Sequence, residues 1–470
     1  MATGNVLVTV VDVGQGQCTF VEIYDDAKPT PKLLHALLFD CGSDKKSLET
    51  DKNLNYVAAQ ALKLDKAGFD CIFFSHSDKD HISLTKQLLD KIWETKKPVV
   101  KEVIYGGDWT KYTKNKFNIL DYIVDEGICE DAQVSGLASN FSNYNSDDEQ
   151  FQGNLWQSTN EEVVVYAVAG NVMSDDPDWD DEDLDVVGKN AEALNRVSLI
   201  AGLFYKDDAA YVICGDATNV TMAACNTLFS DDTLAFHNNI MTTLPHHGSR
   251  ATGFAVKSGA TASKTAVKTV KTFAANMNSE ILTVSSYAKH SHPSLQLINC
   301  FVPVNKSPVV QDARFVEKNA HRISANIDID LGTSSGFRIA RQVDYSFESQ
   351  INTFSTYYFD GTKTFGYEIG GTKATKTKGV QKTAGAINKF ACWQFTTLPS
   401  STATLAGYAD LASAKFTENP ALLGRTAATA AAKPPPAPPE TVSETPRNNP
   451  RAPVSAATKR PVLNGLKHFR

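Results

Sequence analysis

The sequence predicts a layered α/β fold in which helices cover the faces of a β-sheet. β-branched and apolar runs alternate with segments whose apolar residues recur at helical spacing, which favours such layers. The run from Ile72 to Phe74 contains no polar residue, as is typical of a strand covered on both faces. Several runs stop abruptly at acids and histidines, and the carboxyl ends of strands are where sheet-based sites gather their functional groups. We therefore expect one site built from strand ends.

The first elements are a hairpin, a strand and a helix. Residues 6–13 are rich in valine and predict a strand, and two glycines in the following Gly14-Gln-Gly16-Gln turn lead into a second strand over residues 18–24. Residues 36–40 form a third strand that ends in Asp40-Cys-Gly42. Apolar residues then recur at helical spacing over residues 53–67, and Gly68 predicts the end of that helix.

The next strand, over residues 71–75, leads directly into a cluster of two histidines and two aspartates. His76, Asp78, Asp80 and His81 lie within six residues and follow the strand without a helical spacer. Imidazole nitrogens and carboxylate oxygens are ligands for zinc, manganese or iron, so these side chains can converge on one or two cations. The alternative is a solvated loop in which acids and histidines occur together by chance.

Helix and strand patterns continue after this cluster. Residues 82–93 predict a helix and residues 99–105 a strand, whereas residues 106–160 are polar and predict an insertion composed of loops. Residues 173–185 are strongly acidic but lack the oxygen spacing and the turn glycine of an EF-hand, so the pattern favours a solvated insertion over a calcium site.

Two later strands again end in residues with functional chemistry. Asn195-Arg-Val-Ser198-Leu begins a strand, and a hairpin turn leads to a further strand that ends in Gly215-Asp216. The run Leu-Pro-His246-His247-Gly-Ser follows. Because neighbouring side chains diverge, the spacing favours one metal ligand from the histidine pair and leaves open which one it is.

The last of these motifs is His290-Ser-His292-Pro293, which follows a predicted strand over residues 281–287. We favour His292 as the functional histidine because it holds the place before proline, whose ring restricts the preceding backbone to extended conformations. A histidine near its neutral pKa can supply a proton to a leaving oxygen, so we expect His292 to act in catalysis and not as a ligand.

Taken in order, these motifs resemble the metallo-β-lactamase superfamily, whose signature is H-x-H-x-D-H. The second histidine is Asp78 here, and the form H-x-D-x-D-H is similar to the branch typified by the hydrolase domain of ComEC-type DNA-uptake proteins. The V-D-V-G-Q-G hairpin, the N-x-x-S-L and G-D pair and the H-H-G-S run resemble the same branch, over roughly residues 5–305. The resemblance implies a metallo-β-lactamase-like αββα four-layer sandwich and cleavage of phosphodiesters, with DNA as the expected polymer and small phosphoesters as the substrates of related proteins.

The resemblance also implies a division of roles at the site. It implies that Asp40 braces the metal loop and that Asp216 bridges or flanks the metals, and we place Asn195 in a supporting role beside Asp40. We expect Asp80 to act both as a ligand and in catalysis. The cofactor is expected to be one or two divalent metal ions, zinc or manganese, and Asp78 shifts the preference from zinc toward manganese or magnesium because it adds a hard oxygen donor. The metal ligands are therefore expected from the set His76, Asp78, Asp80, His81, Asp216, His246 and His247.

Composition bounds the remaining possibilities. The 470 residues carry a formal net charge of −7, which gives no broad attraction for nucleic acid. The absence of a long apolar run or a secretory signal, and the scattering of eight cysteines, predict a cytoplasmic protein with reduced, buried thiols, although disulfides stay open.

The sequence predicts three regions. Residues 1–310 are expected to form the hydrolase domain, residues 311–425 a β-rich extension that is either a separate unit or an edge of the first domain, and residues 426–470 a disordered Ala/Pro-rich tail. The C-terminal region is the candidate contact for a protein partner. The excess of Lys and Arg in its tail could contact an anionic partner, but we favour a solubilising tail. Three functions remain: a phosphodiesterase or nuclease, which we favour, a hydrolase of small phosphoesters, lactones or amides, and a non-catalytic binding module.

Overall fold

The computed structural model describes most of the first 301 residues and a set of strands beyond them. The described ranges are 3–26, 31–46, 50–114, 117–137, 144–145, 150–151, 154–172, 195–206, 209–229, 239–256, 261–279, 281–285, 297, 300–301, 329–330, 338–342, 353–359, 364–370, 375–376, 392–397 and 403–408. The acidic segment 173–185, His290, His292 and the tail 426–470 lie outside these residues, so the expectations for them stay predictions.

Two eight-stranded mixed sheets dominate the fold. In spatial order the first sheet consists of Val134–Gly136, Val103–Tyr105, Cys71–Phe74, Leu33–Cys41, Cys18–Asp25, Thr3–Val10, Cys392–Thr397 and Ala403–Tyr408. The second sheet consists of Trp156–Gln157, Val163–Ala169, Ile200–Tyr205, Ala209–Ile213, Asn239–Thr243, Ile281–Ser285, Arg338–Gln342 and Ile329–Asp330. Parallel pairs occur in the middle of both sheets, so the carboxyl ends of several strands lie at one edge of each.

Side-chain alternation produces four layers. Along the Cys71–Phe74 strand, Cys71 and Phe73 pack in a core shared with the second sheet, while Ile72 and Phe74 pack under helices on the other face. The run from Ile72 to Phe74 is continuously apolar because both faces of this strand are covered. The inter-sheet core joins side chains of the first sheet, such as Val8 and Phe39, to side chains of the second.

Helices form the two outer layers. The helices of the described residues are Thr50–Ala61, Lys79–Ile82, Thr85–Trp93, Ile119–Asp125, Asn219–Leu228, Arg250–Gly253 and Lys264–Met277. Leu54, Val57 and Leu88 bury against the first sheet, and Asn219–Leu228 and Lys264–Met277 pack on each other beside the second sheet. The αββα arrangement expected from the sequence is confirmed.

Short elements complete the described chain. Three 3₁₀ turns and several small sheets connect the main layers, and Ile119–Asp125 is a helix inside the segment for which the sequence predicted only loops. The turns are Trp109–Tyr112, Asp131–Gln133 and Pro245–Gly248. The small sheets pair Gly68–Phe69 with Val99–Val100, Thr113–Lys114 with Phe117–Asn118, Tyr144–Asn145 with Gln150–Phe151, and Thr353–Phe359 with Thr364–Gly370 and Thr375–Lys376.

The chain beyond residue 310 contributes to both large sheets. Cys392–Thr397 pairs antiparallel with the first strand, Thr3–Val10, and Arg338–Gln342 pairs parallel with Ile281–Ser285. Thr353–Phe359 and its two neighbours form a sheet of their own. Strands of this region therefore both extend the large sheets and form a separate sheet, and the domain boundaries stay proposals.

A β-bulge lies at the end of the third strand. Cys18 pairs with Cys41 but Thr19 pairs with Phe39, so Asp40 is the extra residue between them, and its φ is 52°. Bulges bend a strand and change the direction of a side chain, often beside active sites. The bulge positions Asp40 at the edge where the neighbouring strand Cys71–Phe74 ends.

Among the described residues, no helix combines the length and the apolar character that crossing a bilayer requires. Cys18, Cys71 and Cys214 are buried, as the sequence predicted.

Candidate metal centre

The loop after the Cys71–Phe74 strand carries the first group of functional side chains. His76 follows the strand through Ser75, and the one-turn helix Lys79–Ile82 carries Asp80 and His81. His76 and His81 are fully buried, whereas the Asp80 side chain is 20% exposed. The strand therefore delivers the histidines to the interior and leaves a carboxylate at the rim.

Backbone contacts with the N-terminal hairpin hold this loop in place. The Gln17 amide donates to the Asp80 carbonyl over 2.9 Å. A Cβ at Gly16 would lie 2.7 Å from that carbonyl oxygen, and one at Gly42 would lie 2.4 Å from the His81 amide nitrogen. Only glycine allows so close an approach. Gly16 and Gly42 therefore allow the loop that carries Asp80 and His81 to pack directly against their backbones.

The second sheet supplies the second group. Asp216 follows the Ala209–Ile213 strand and is buried, and His246 and His247 follow Asn239–Thr243 in a tight turn. Both histidines have left-handed backbones, with φ of 47° and 51°. Such conformations cost roughly 1–3 kcal/mol each in non-glycine residues and persist where the surroundings impose them.

Asp216 stands at the centre of the site, and each of its oxygens faces a different set of side chains. Its Oδ1 lies 3.0 Å from His81 Nε2 and 3.4 Å from His247 Nε2. His247 Nε2 also lies 3.3 Å from Asp80 Oδ2. We call His81, His247 and Asp80 the Oδ1 half-site.

The other oxygen faces a more open set. Asp216 Oδ2 lies 3.7 Å from His76 Nε2 and 3.5 Å from His246 Nε2, and His76 Nε2 lies 3.7 Å from Asp78 Oδ2. The side chains of His246 and Asp78 are 18% and 32% exposed. We call His76, Asp78 and His246 the Oδ2 half-site.

Polar groups behind the histidines fix their rings. Asp40 Oδ2 lies 2.8 Å from His81 Nδ1, and Asn195 Nδ2 lies 3.3 Å from His246 Nδ1. Ser75 Oγ lies 3.0 Å from His76 Nδ1, and Ser198 accepts a hydrogen bond from the Asp216 amide over 2.8 Å. Partners of this kind set which ring nitrogen carries the proton and leave the other for a ligand.

The donor set fits a divalent cation. Within the described part of the chain, His76 Nε2, His81 Nε2, His247 Nε2 and Asp216 Oδ1 are buried and have no hydrogen-bond partner. Buried polar atoms are costly when they are left unsatisfied, and these four belong to groups whose ligand atoms lie within 4.8 Å of one another. These groups are His76, His81 and Asp216, and Asp80, His81 and His247. Imidazole nitrogens and carboxylate oxygens are common ligands of divalent cations in proteins.

The charges of the site depend on this arrangement. Burial lowers the pKa of His81, but the Asp216 and Asp40 carboxylates outweigh burial and hold it well above its usual value. Burial likewise opposes the charged form of His247, but Asp216 and Asp80 raise its pKa. His246 differs, because burial is the dominant influence there and lowers its pKa. Without a cation, protonated His81 and His247 therefore balance the negative charges of the neighbouring carboxylates.

The structure brings together most of the side chains that the sequence singled out. His76, Asp78, Asp80, His81, Asp216, His246 and His247 surround one point, with Asp40 and Asn195 behind them. Their roles stay proposals. The sequence reasoning missed Ser75, and the signal that could have found it is its place between the buried strand and the first histidine.

Comparisons with known proteins give distant structural likenesses. No family model and no curated protein matches the chain. The metallo-β-lactamase fold protein YhfI of Bacillus subtilis is 12% identical, with 63% of this chain and 93% of that chain covered and a TM-score of 0.31. Unliganded yeast PDE1 is 11% identical, with 73% and 98% covered and a TM-score of 0.39. A diphosphatase of the PhnP family is 11% identical, with 60% and 86% covered and a TM-score of 0.25.

At these identities and TM-scores the likenesses identify no family, and the fold is defined by its own layers. Fold and site together define an αββα protein with a buried histidine and aspartate centre suited to divalent cations.

Proposed function

We propose that this protein is a metal-dependent hydrolase that cleaves phosphodiesters, with nucleic acid as the favoured substrate class. The observation that carries the proposal is the convergence of four buried atoms at the centre, His76 Nε2, His81 Nε2, His247 Nε2 and Asp216 Oδ1, whose nearest polar neighbours are the other ionisable groups of the same cluster. Burying several ionisable groups together is energetically costly, and a bound cation that all of them could ligate would offset that cost.

We assign the ligands by half-site. His81, His247, Asp80 and Asp216 Oδ1 would hold one cation, and His76, Asp78 and Asp216 Oδ2 would hold a second. When bound, divalent cations lower the pKa of a coordinated water toward neutrality and stabilise the negative charge of a phosphoester transition state.

The two adjacent histidines take different roles in this proposal. With Asn195 Nδ2 donating to His246 Nδ1, the ring proton of neutral His246 lies on Nε2, the nitrogen that faces Asp216. His246 is therefore a hydrogen-bond donor at the mouth of the site, and His247 is the ligand of the pair.

The other residues move or accept protons. Burial opposes the charged form of Asp80, but the close contact with His247 Nε2 and the charges of His81 and His247 hold the pKa of Asp80 well below its usual value. Asp80 is thus ionised at neutral pH and orients water as an acceptor. His292 remains our candidate for the proton donor to the leaving oxygen.

The substrate class rests on the H-x-D-x-D-H form and its resemblance to the ComEC-like branch. A net charge of −7 gives no general attraction for a polyanion, so recognition falls to the centre and its immediate rim. The same charge keeps the small-molecule hydrolase as the second candidate, because a small phosphoester needs no extended basic surface.

A substrate panel tests the proposal. Single-stranded DNA, RNA, cyclic dinucleotides and a chromogenic phosphodiester are each incubated with zinc, manganese or magnesium, with Asp80→Asn and His81→Ala as inactive controls. We expect degradation of at least one polymer by the wild type only. Turnover of the small ester alone supports the second candidate, and inactivity throughout, with cations bound, contradicts hydrolysis and leaves a binding module.

A further inference from the structure

We propose that Ser75 is a positioning residue that carries the influence of Asp40 to His76, so that one carboxylate fixes histidines of both half-sites. The inference rests on the proposed metal centre but concerns only side chains of this chain. It assigns a function to a hydroxyl that belongs to none of the ligand groups.

Five contacts surround Ser75 and Asp40. Ser75 Oγ donates to Asp40 Oδ2 over 2.7 Å and lies 3.0 Å from His76 Nδ1. The Ser75 amide donates to the other Asp40 oxygen, also over 2.7 Å. Asp40 Oδ2 meanwhile lies 2.8 Å from His81 Nδ1, and the same nitrogen lies 3.1 Å from Ser75 Oγ. Asp40 thus contacts His81 directly and reaches His76 only through Ser75.

Proton counting gives the direction of the relay. An ionised carboxylate only accepts hydrogen bonds, and a serine hydroxyl has one proton to donate. Because Ser75 gives that proton to Asp40, its oxygen faces His76 Nδ1 as an acceptor. The His76 proton must then lie on Nδ1, which leaves the Nε2 lone pair directed into the site, where Nε2 has no hydrogen-bond partner among the described residues.

The Ser198 hydroxyl competes for the same nitrogen but is farther away. Its oxygen lies 3.4 Å from His76 Nδ1 and accepts from the Asp216 amide over 2.8 Å. If Ser198 donated to Nδ1, the His76 proton would move to Nε2 and block the lone pair. The shorter contact with Ser75 favours the ligand-ready tautomer.

Close packing holds the Ser75 side chain in this orientation. A Cβ on Gly215 would lie 2.6 Å from Ser75 Cβ and 2.9 Å from its Oγ, and a Cβ on Gly106 would lie 2.3 Å from the Ser75 carbonyl oxygen. Ser75 therefore sits between two backbones that approach closely because both residues are glycine. The hydroxyl is placed by the fold and needs no metal to find its position.

The experiment reads the His76 tautomer in metal-free, full-length protein labelled with ¹⁵N-histidine, with the His76 signals assigned by a His76→Gln variant. We expect the Nδ1–H form in the wild type and an increase of the Nε2–H form in Ser75→Ala. Asp40→Asn is the sharper variant, because its amide would donate to Ser75 and turn the hydroxyl toward His76. It should shift His76 to Nε2–H without any direct contact between the two residues.

The controls separate a relay from general damage. Ser77→Ala removes another buried hydroxyl from the same loop. Within the described part of the chain, this hydroxyl has no hydrogen bond to the His76 or His81 ring, so the variant should leave the His76 tautomer unchanged. In the Ser75→Ala background, Asp40→Asn should have no further effect on His76. Zinc affinity measured by calorimetry should fall by roughly 10- to 100-fold in Ser75→Ala, the usual cost of losing a partner behind a ligand.

A wild-type protein with His76 in the Nε2–H form overturns the proposal, whether or not the variants fold. So does an Asp40→Asn variant that leaves the His76 tautomer unchanged. Neither result depends on turnover, so a protein that proves inactive toward phosphodiesters can still have the relay, and an active one can lack it.

Discussion

The two half-sites around Asp216 contain similar donors but differ in how tightly these are held. On the Oδ1 side His81 and His247 are almost fully buried, and their distances to Asp216 are 3.0 and 3.4 Å. On the Oδ2 side the distances are 3.5 and 3.7 Å, and Asp78 is 32% exposed. A tight, enclosed site suits a permanently bound cation, whereas an open one suits a cation that exchanges or meets the substrate.

The largest effect is expected from the residue that both half-sites share. Asp216→Asn should remove both cations and lower turnover by roughly 10³-fold or more, because losing a metal's charge stabilisation removes several kcal/mol. Elemental analysis and steady-state kinetics of the purified variant measure the two effects. Retention of one full equivalent of metal would show that Asp216 serves only one half-site.

The adjacent histidines provide a matched pair that separates the half-sites. His247→Ala should cause loss of one cation and lower turnover by about 10²-fold or more. Losing a metal ligand should reduce activity at least as much as losing a residue that hydrogen-bonds to a ligand. His246→Ala should retain both cations and weaken substrate binding instead. Both residues have left-handed backbones, so the two variants are matched in that respect. Equal metal loss from both would contradict the division of roles.

His292 tests whether turnover can be lost while both half-sites stay intact. His292→Ala should lower turnover by roughly 10²-fold, within the range that general acids contribute, and leave bound metal nearly unchanged. The measurement pairs the kinetics with elemental analysis. Loss of metal together with activity would make His292 a ligand.

A smaller effect is expected from the carboxylate of the open half-site. Asp78→His replaces a hard oxygen with imidazole nitrogen and should shift the preferred cation from manganese toward zinc, with turnover largely preserved in the better metal. Activity titrations with each cation measure the shift. An unchanged metal profile would place Asp78 outside the set of ligands.

The smallest effect concerns pH and again distinguishes the half-sites. The carboxylates raise the pKa values of His81 and His247 in the metal-free protein, so their stabilisation is complete below the unfolded imidazole pKa and is lost as pH rises through the folded values. Burial lowers the pKa of His246, so protonation of His246 does not stabilise the folded protein.

We therefore expect the melting temperature of the metal-free protein to fall as pH rises above neutrality and that of the zinc-loaded protein to change less, because zinc replaces the protons. Calorimetric scans of both forms at a series of pH values test this. A metal-free protein whose melting temperature rises over the same range would contradict the proton balance.

Much of the site could be predicted from the sequence because strand ends are visible as apolar runs that stop. The positions of His76, Asp80, His81 and Asp216 follow from that rule together with the convergence of parallel strands at one edge. The proposed choice between His246 and His247 could not be predicted from the sequence, because it depends on the contact of His246 Nδ1 with the distant Asn195 and on two consecutive left-handed residues.

Other features were hidden because they depend on contacts between distant segments. The relay through Ser75 requires the bulge at Asp40, which is a property of strand register and not of composition. The helix Ile119–Asp125 was missed because its polar surroundings dominate the local pattern. An edge extension was one of two alternatives in the sequence, but its pairing with the first strand was hidden, since sequence periodicity does not reveal which edges meet.

That pairing of Thr3–Val10 with Cys392–Thr397 has a consequence for how the protein is made. During synthesis the first strand can pair with its hairpin neighbour at once, but its other edge has no partner until nearly the whole folded region has left the ribosome. An exposed edge of this kind is a template for pairing with other chains. Chains that end before Cys392 should therefore aggregate even though every side chain of the centre within the described residues has been made, and the distant C-terminal hairpin protects the first strand of the fold.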